Sequence, residues 1–157
     1  MESGFIGFKE CYKTKNGIKI YIDAESIEKL TINGSGDFIG KNEFTSDKLE
    51  VQVRGSGDIK ATINVKELTA KVHGSGDIKV KGSASNQTIS VHGSGDYEAI
   101  DLVSNSANAS VNGSGDIEIQ VSESLKARVN GSGDIVYYGN PSNVDSNVNG
   151  SGIITRK

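Results

Sequence analysis

Six aspartates recur at nearly constant spacing and are the residues best suited to bind a ligand. They are Asp37, Asp58, Asp77, Asp96, Asp116 and Asp134, each directly after a Gly-Ser-Gly triplet. Clustered carboxylate oxygens are ligands that hard cations such as Ca²⁺ prefer. The pattern therefore suggests a cation ladder through Asp58, Asp77, Asp96 and Asp116. The alternative is structural and we favour it, because an aspartate beside a glycine turn readily accepts backbone N–H groups.

A second polar series stands one residue before each triplet. Its central members form a predicted outer contact stripe, Arg54, His73, His92, Asn112 and Asn130, which could hydrogen-bond a sugar or a partner protein. Stacked asparagines also form side-chain ladders that stabilise parallel β-structure without any ligand, and this alternative is favoured here too. Two histidines alone make a poor zinc site. We therefore predict no metal and no cofactor.

Catalysis is not expected. A nucleophile needs a base within reach and a third group to orient it, and Cys11 has no histidine nearby in the sequence. The triplet serines are periodic, and a residue required in every repeat is usually structural. Repeat lengths differ by at most three residues, which leaves no long insertion to build a cleft.

The triplets recur along the chain at a nearly fixed period. They start at Gly34, Gly55, Gly74, Gly93, Gly113, Gly131 and Gly150, with spacings of 21, 19, 19, 20, 18 and 19 residues. A fixed period near 20 residues is the signature of a solenoid.

Around each triplet apolar and polar residues alternate. The apolar residues Leu68, Ala70 and Val72 occupy every second position, and the polar residues Lys71 and His73 occupy the positions between and after them. A period of two residues indicates β-strands rather than helices. Because equivalent strands of successive coils pair in parallel, we predict an all-β fold, a right-handed parallel β-helix (solenoid) of about seven coils with about 19 residues per coil.

The whole chain, residues 1–157, is predicted to be a single solenoid domain. Residues 1–29 form an N-terminal cap and the first strands, including an alternating strand over 18–22, and residues 30–157 form the Gly-Ser-Gly-Asp coils. If the alternation continues through the triplet, both glycines point inward and bring the opposite wall close or allow a bend. A tight turn with the serine inside is the alternative.

Composition narrows the classes of partner. The net charge of −3, from 17 basic and 20 acidic residues, provides no broad basic surface for nucleic acid. No apolar run is long enough for a transmembrane helix. The first residues do not form a secretory signal, so we expect a cytoplasmic protein or, as we favour, one whose signal was removed.

These residues resemble a known family, the putative auto-transporter adhesin head GIN domain of Bacteroidetes. The similarity lies in the Gly-Ser-Gly-Asp-Ile copies and in the run 131–141, which ends in Tyr-x-Gly-x-Pro. It extends from about Ile18 to Lys157. Members of the family usually have more strand sequence upstream, so part of the N-terminal half would be missing from this chain. The resemblance implies a β-solenoid exported to the cell envelope or surface.

We therefore expect a non-catalytic, adhesin-like binding module, located in the cell envelope or outside the cell. The outer face of the solenoid would contact a surface ligand, either a glycan or a protein. The rival interpretations are a carbohydrate-active β-helix enzyme and a purely structural spacer. Such a spacer could self-assemble into homo-oligomers through its exposed coil ends.

Overall fold

Residues 26–157 are described by the structure, a computed structural model, and they form nine strands and no helix. The strands are β1 (Lys29–Gly34), β2 (Phe38–Gly55), β3 (Ile59–Gly74), β4 (Ile78–Gly93), β5 (Tyr97–Gly113), β6 (Ile117–Gly131), β7 (Ile135–Tyr138), β8 (Asn143–Gly150) and β9 (Ile154–Arg156). The predicted strand over 18–22 and Cys11 lie outside the described residues, as does most of the predicted cap.

Every strand pairing is parallel, and each strand from β1 to β5 pairs with the next one along the chain. The first half of β6 pairs with β7 and its second half with β8, so the coil after β6 consists of two strands separated by a loop. The predicted all-β parallel solenoid is confirmed. Its right-handedness stays a prediction.

The interior consists of stacked columns of apolar side chains, because in-register pairing places equivalent residues of successive coils above one another. The column before the triplet is completely buried from Val53 through Val72, Val91, Val111 and Val129. The column after the triplet is buried in the same way and contains Ile59, Ile78, Tyr97, Ile117 and Ile135. The predicted alternation between inward and outward residues is confirmed in both columns.

Differences in coil length are absorbed at irregularities in the sheet. The β2–β3 register shifts between Ile39 and Glu43, where the longest repeat has its extra residues. The β4–β5 register shifts after Lys79, at the repeat with one extra residue. These shifts leave the corners formed by the triplets in register along the stack.

One buried polar network interrupts the apolar interior. The Tyr97 hydroxyl donates to Gln87 Oε1 at 3.0 Å, and Gln87 Nε2 donates to Ser104 Oγ at 2.6 Å. The Ser104 hydroxyl in turn donates to the Gln120 carbonyl at 2.8 Å. All three side chains are almost fully buried, and each has a hydrogen-bond partner. The network therefore avoids the free-energy cost of unsatisfied buried polar groups.

Candidate functional site

The triplet forms a corner in which backbone groups of successive coils bond to one another. Gly74 has a positive φ of 129°, a conformation that glycine adopts without strain. Its carbonyl oxygen accepts N–H bonds from both Ser94, at 2.9 Å, and Gly95, at 3.1 Å, in the next coil. The serine of the corner is exposed and the second glycine is buried. The predicted outward serine is therefore correct, and the alternative with the serine inside is wrong.

The sequence suggested that the glycines let the opposite wall come close or allow a bend at a corner. The bend is present at the first glycine of each triplet, but the close neighbour of both glycines is the preceding coil and not the opposite wall. A Cβ atom on Gly93 or Gly95 would lie less than 3.0 Å from the carbonyl oxygen of the equivalent glycine in the preceding coil. No real Cβ atom tolerates such a distance from rigid backbone. Both glycines of the triplet thus allow the coils to stack closely.

Each corner aspartate accepts a hydrogen bond from the coil that follows. The Asp77 N–H donates to Asp58 Oδ1 at 3.0 Å, and the Asp96 N–H donates to Asp77 Oδ1 at 2.8 Å. The same bond joins Asp58 to Asp37, Asp116 to Asp96, Asp134 to Asp116 and Ile153 to Asp134, at 2.7–3.1 Å. The carboxylate thereby takes the place of a backbone carbonyl where the chain turns.

Within this column, burial and neighbouring charges act together on the pKa of Asp96, and a hydrogen bond opposes them. Partial burial raises the pKa of Asp96, and the N–H of Asp116 opposes that rise by stabilising the carboxylate. Repulsion from the carboxylates of Asp77 and Asp116 raises the pKa further.

Among residues 26–157 no three histidine, cysteine, aspartate or glutamate side chains converge as a metal site. The cation ladder through Asp58, Asp77, Asp96 and Asp116 stays a prediction.

The outer contact stripe is a row of directly paired residues on adjacent strands. Arg54, His73, His92, Asn112 and Asn130 occupy equivalent positions from β2 to β6. All five are exposed or partly exposed. Parallel pairing separates neighbouring members by about 4.8 Å, so the row runs along the solenoid axis.

Side chains within the stripe hold one another in place. The rings of His73 and His92 stack with their centroids 5.1 Å apart. His92 Nε2 lies 3.3 Å from Asn112 Nδ2, and Asn130 Nδ2 donates to Asn112 Oδ1 at 3.0 Å. Burial lowers the pKa of His73, and the positive charges of His92 and Arg54 lower it further. The stripe therefore presents a His73 imidazole that favours its neutral form, a second imidazole, two amide groups and one guanidinium at its end.

Two features were missed by sequence reasoning. The first is the buried network of Tyr97, Gln87 and Ser104, for which a glutamine at an inward position was the available signal. The second is an open groove of about 570 Å³ on another face, lined in part by Thr45, Asn64, Ser83 and Asn105. Ser83 Oγ donates to Asn64 Oδ1 at 3.0 Å between adjacent coils. Short polar residues at equivalent positions of successive coils were the signal for this groove.

Comparisons with known proteins agree with this architecture. The model of the family described as "Putative auto-transporter adhesin, head GIN domain" matches residues 5–141. A putative adhesin from Bacteroides fragilis has a similar crystal structure, with a TM-score of 0.81 and 31% identity over 83% of this chain and 61% of that one. A putative lipid binding protein from Parabacteroides distasonis gives a TM-score of 0.81 and 30% identity over 84% of this chain and 55% of that one.

This chain therefore spans less than two thirds of the length of either structural neighbour. No curated protein matches the sequence significantly. None of the described residues belongs to a helix that is long and apolar enough to cross a bilayer.

Proposed function

Because the chain belongs to the family of the putative auto-transporter adhesin head GIN domain, we propose that it is a non-catalytic binding module of the cell surface or envelope. The outer contact stripe, Arg54, His73, His92, Asn112 and Asn130, is the surface that contacts the ligand. The ligand is a glycan or a polar segment of a protein. One structural neighbour is named a putative adhesin, which supports an adhesive role.

The observation that carries this proposal is that side chains of the stripe already hold one another in place. Long exposed side chains lose conformational entropy when a ligand immobilises them. Here His92 already contacts Asn112, and Asn112 already contacts Asn130, so much of that loss is incurred on folding. Amide and imidazole groups both donate and accept hydrogen bonds, which suits hydroxyl groups of a sugar.

The charge of the stripe also favours an uncharged or weakly acidic ligand. Arg54 is its one guanidinium, and the lowered pKa of His73 favours the neutral form of that ring. Polyanions such as nucleic acid need many cationic contacts, which this row does not provide. A neutral polysaccharide lying along the solenoid axis meets the stripe at regular intervals.

A glycan array tests the proposal, with a His92→Ala/Asn112→Ala double variant compared with the unaltered chain. We expect specific glycan binding by the unaltered chain and a loss of about ten-fold or more in affinity in the variant, which lacks two hydrogen-bonding groups. Asn64→Ala/Ser83→Ala is the matched control, because it removes another exposed cross-coil hydrogen bond, in the groove.

The control variant should bind as the unaltered chain does. Equal binding by the stripe variant, with loss in the groove variant, would move the site to the groove. If no glycan binds, the same variants are compared for adhesion to immobilised host and bacterial surface proteins. Failure of the unaltered chain in both assays refutes the proposed binding role.

Location in the envelope is tested separately by fractionating the native organism. We expect the full-length product in the envelope or culture-medium fraction. Recovery of that product solely from the cytosol would contradict the proposal.

A further inference from the structure

Strand β8, at the C-terminal end of the described solenoid, has apolar side chains that the next coil would normally cover. Val144 continues the column of Leu125, and Val148 continues the column of Val129. Val144 and Val148 are 40% and 41% exposed, whereas Leu125 and Val129 are 2% and 0% exposed. Among residues 26–157, β8 pairs with β6 on one side and with no strand on the other.

The sequence of β8 is nearly symmetric about Ser146. The residues related by this symmetry are Asn143 and Asn149, Val144 and Val148, and Asp145 and Asn147. Reversing the strand therefore exchanges asparagine with asparagine and valine with valine. Asp145 exchanges with a neutral amide rather than with another charge.

We propose that two copies of this chain associate end to end by antiparallel pairing of their β8 strands about a two-fold axis at Ser146. Residues directly opposite in an antiparallel pair lie on the same face of the sheet. Val144 then lies opposite the partner's Val148 on the inner face, and the two apolar interiors join into one. An isologous contact of this kind closes as a dimer instead of growing into a fibre.

The charges on β8 allow it to pair with a second copy of itself, whereas the charges on β6, the strand beneath it, oppose such pairing. Asp145 lies opposite the partner's Asn147, so no like charges face one another. The equivalent symmetric pairing of β6 about Ala127 would place Lys126 opposite the partner's Arg128, which is repulsive. The strand whose self-pairing brings no like charges directly opposite each other therefore stands where the described stack ends. This contrast supports a second copy as the occupant of the edge.

The dimer extends the proposed function without depending on it. End-to-end pairing places two outer contact stripes on the same face of one rod, displaced sideways by the six residues between Asn143 and Asn149, or about 20 Å, so a surface that carries several ligands can engage both copies. Binding of the second site then occurs at a high effective concentration. The dimer itself is measurable without any ligand.

Sedimentation velocity and light scattering of the full chain over a range of concentrations test this dimer. We expect a concentration-dependent species of twice the 16.5 kDa monomer mass. Asn147→Asp places two carboxylates opposite each other twice in the dimer, and we expect the dissociation constant to rise about ten-fold. The substituted residue pairs with Arg128 of its own chain, so the monomer should fold normally.

A double variant with complementary charges tests whether the dimer forms through β8 and not through another surface. Asp145→Lys/Asn147→Asp places opposite charges across the pair and should restore dimerisation. Asn108→Asp makes the same charge change on an interior strand and should leave the dimer unaffected. A chain that is monomeric at all concentrations, or a dimer that Asn147→Asp does not weaken, refutes the proposal.

A cysteine at the symmetry axis gives an independent measurement. With Cys11→Ser to remove the native thiol, Ser146→Cys should form an intermolecular disulfide under mild oxidation, because residues facing one another on the axis are within disulfide reach. Ser94→Cys, at an exposed corner serine in the interior of the stack, is the matched control and should crosslink far less. Equal crosslinking of the two variants would also contradict the proposal.

Discussion

The corners need glycine for two reasons, a positive φ and the close approach of the preceding coil. Alanine substitutions at different corner glycines separate these two reasons. In an interior coil a Cβ atom on Gly95 would collide with the carbonyl oxygen of Gly76, but its φ is not in the positive range. In the first described coil, Gly36 has no described atom within 4 Å of such a Cβ, and its φ is not in that range either. Gly34 has a positive φ of 110° and the same open space. Gly93 combines a positive φ of 122° with a collision.

The structure ranks the four alanine variants. Gly36→Ala should change the free energy of unfolding by less than about 1 kcal/mol and can even increase it, since alanine restricts the unfolded chain. Gly34→Ala should cost about 1–3 kcal/mol through its backbone conformation alone. Gly95→Ala should cost about 3–5 kcal/mol, because overpacking costs about 1–3 and two N–H bonds to Gly74 O are stretched. Gly93→Ala combines both effects and should approach the total stability of a typical domain, about 5–15 kcal/mol.

Thermal and denaturant unfolding, followed by circular dichroism and tyrosine fluorescence, measure this ranking. For a chain of this size about 1 kcal/mol corresponds to a Tm shift of roughly 2–4 °C. Gly95→Ala should therefore melt at least about 6 °C below the unaltered chain and at least about 4 °C below Gly36→Ala. Equal melting of Gly95→Ala and Gly36→Ala would show that close stacking of coils is not the reason for the second glycine. Equal melting of Gly34→Ala and Gly36→Ala would remove the argument from positive φ.

The remaining predictions concern the core, the acidic column and the buried network. Val111→Asp should cost several kcal/mol and abolish folding, whereas Asn112→Asp should change stability by less than about 1 kcal/mol, and similar melts would mean that the inward register is wrong. Asp96→Asn should raise stability at pH 7, because it keeps the acceptor oxygen without the charge. This advantage should shrink as the pH falls through the raised pKa of Asp96, since the folded wild type then binds the proton more readily than the unfolded chain. Millimolar calcium should leave the wild-type Tm unchanged, and a calcium-dependent rise that Asp96→Asn abolishes would revive the cation ladder. Tyr97→Phe leaves Gln87 Oε1 without its buried donor and should cost about 1–3 kcal/mol in denaturant unfolding, so a neutral result would contradict the assigned network.

The solenoid and its register could be predicted from the sequence because both are periodic. Repeating triplets require repeating coils, and the alternation around them by itself assigns Val72 to the interior and His73 to the surface. Parallel in-register stacking then places His73 beside His92. The outer contact stripe as a continuous row was therefore accessible to sequence reasoning, although its function was not.

The tertiary structure decided which atoms meet across coils. The sequence placed an aspartate at each corner, but only the stacked backbone shows that Asp77 accepts the N–H of Asp96 instead of one within its own turn. The glycines likewise appeared either to bring the opposite wall close or to allow a bend. The bend is present, but the close neighbour is the preceding coil, because coils stack at the short spacing of a β-sheet. The link from Tyr97 to Gln87 crosses the interior between two columns, and periodicity describes only what lies along a column. Contacts along the stack follow from the repeat, while contacts across it depend on how the coil closes in three dimensions.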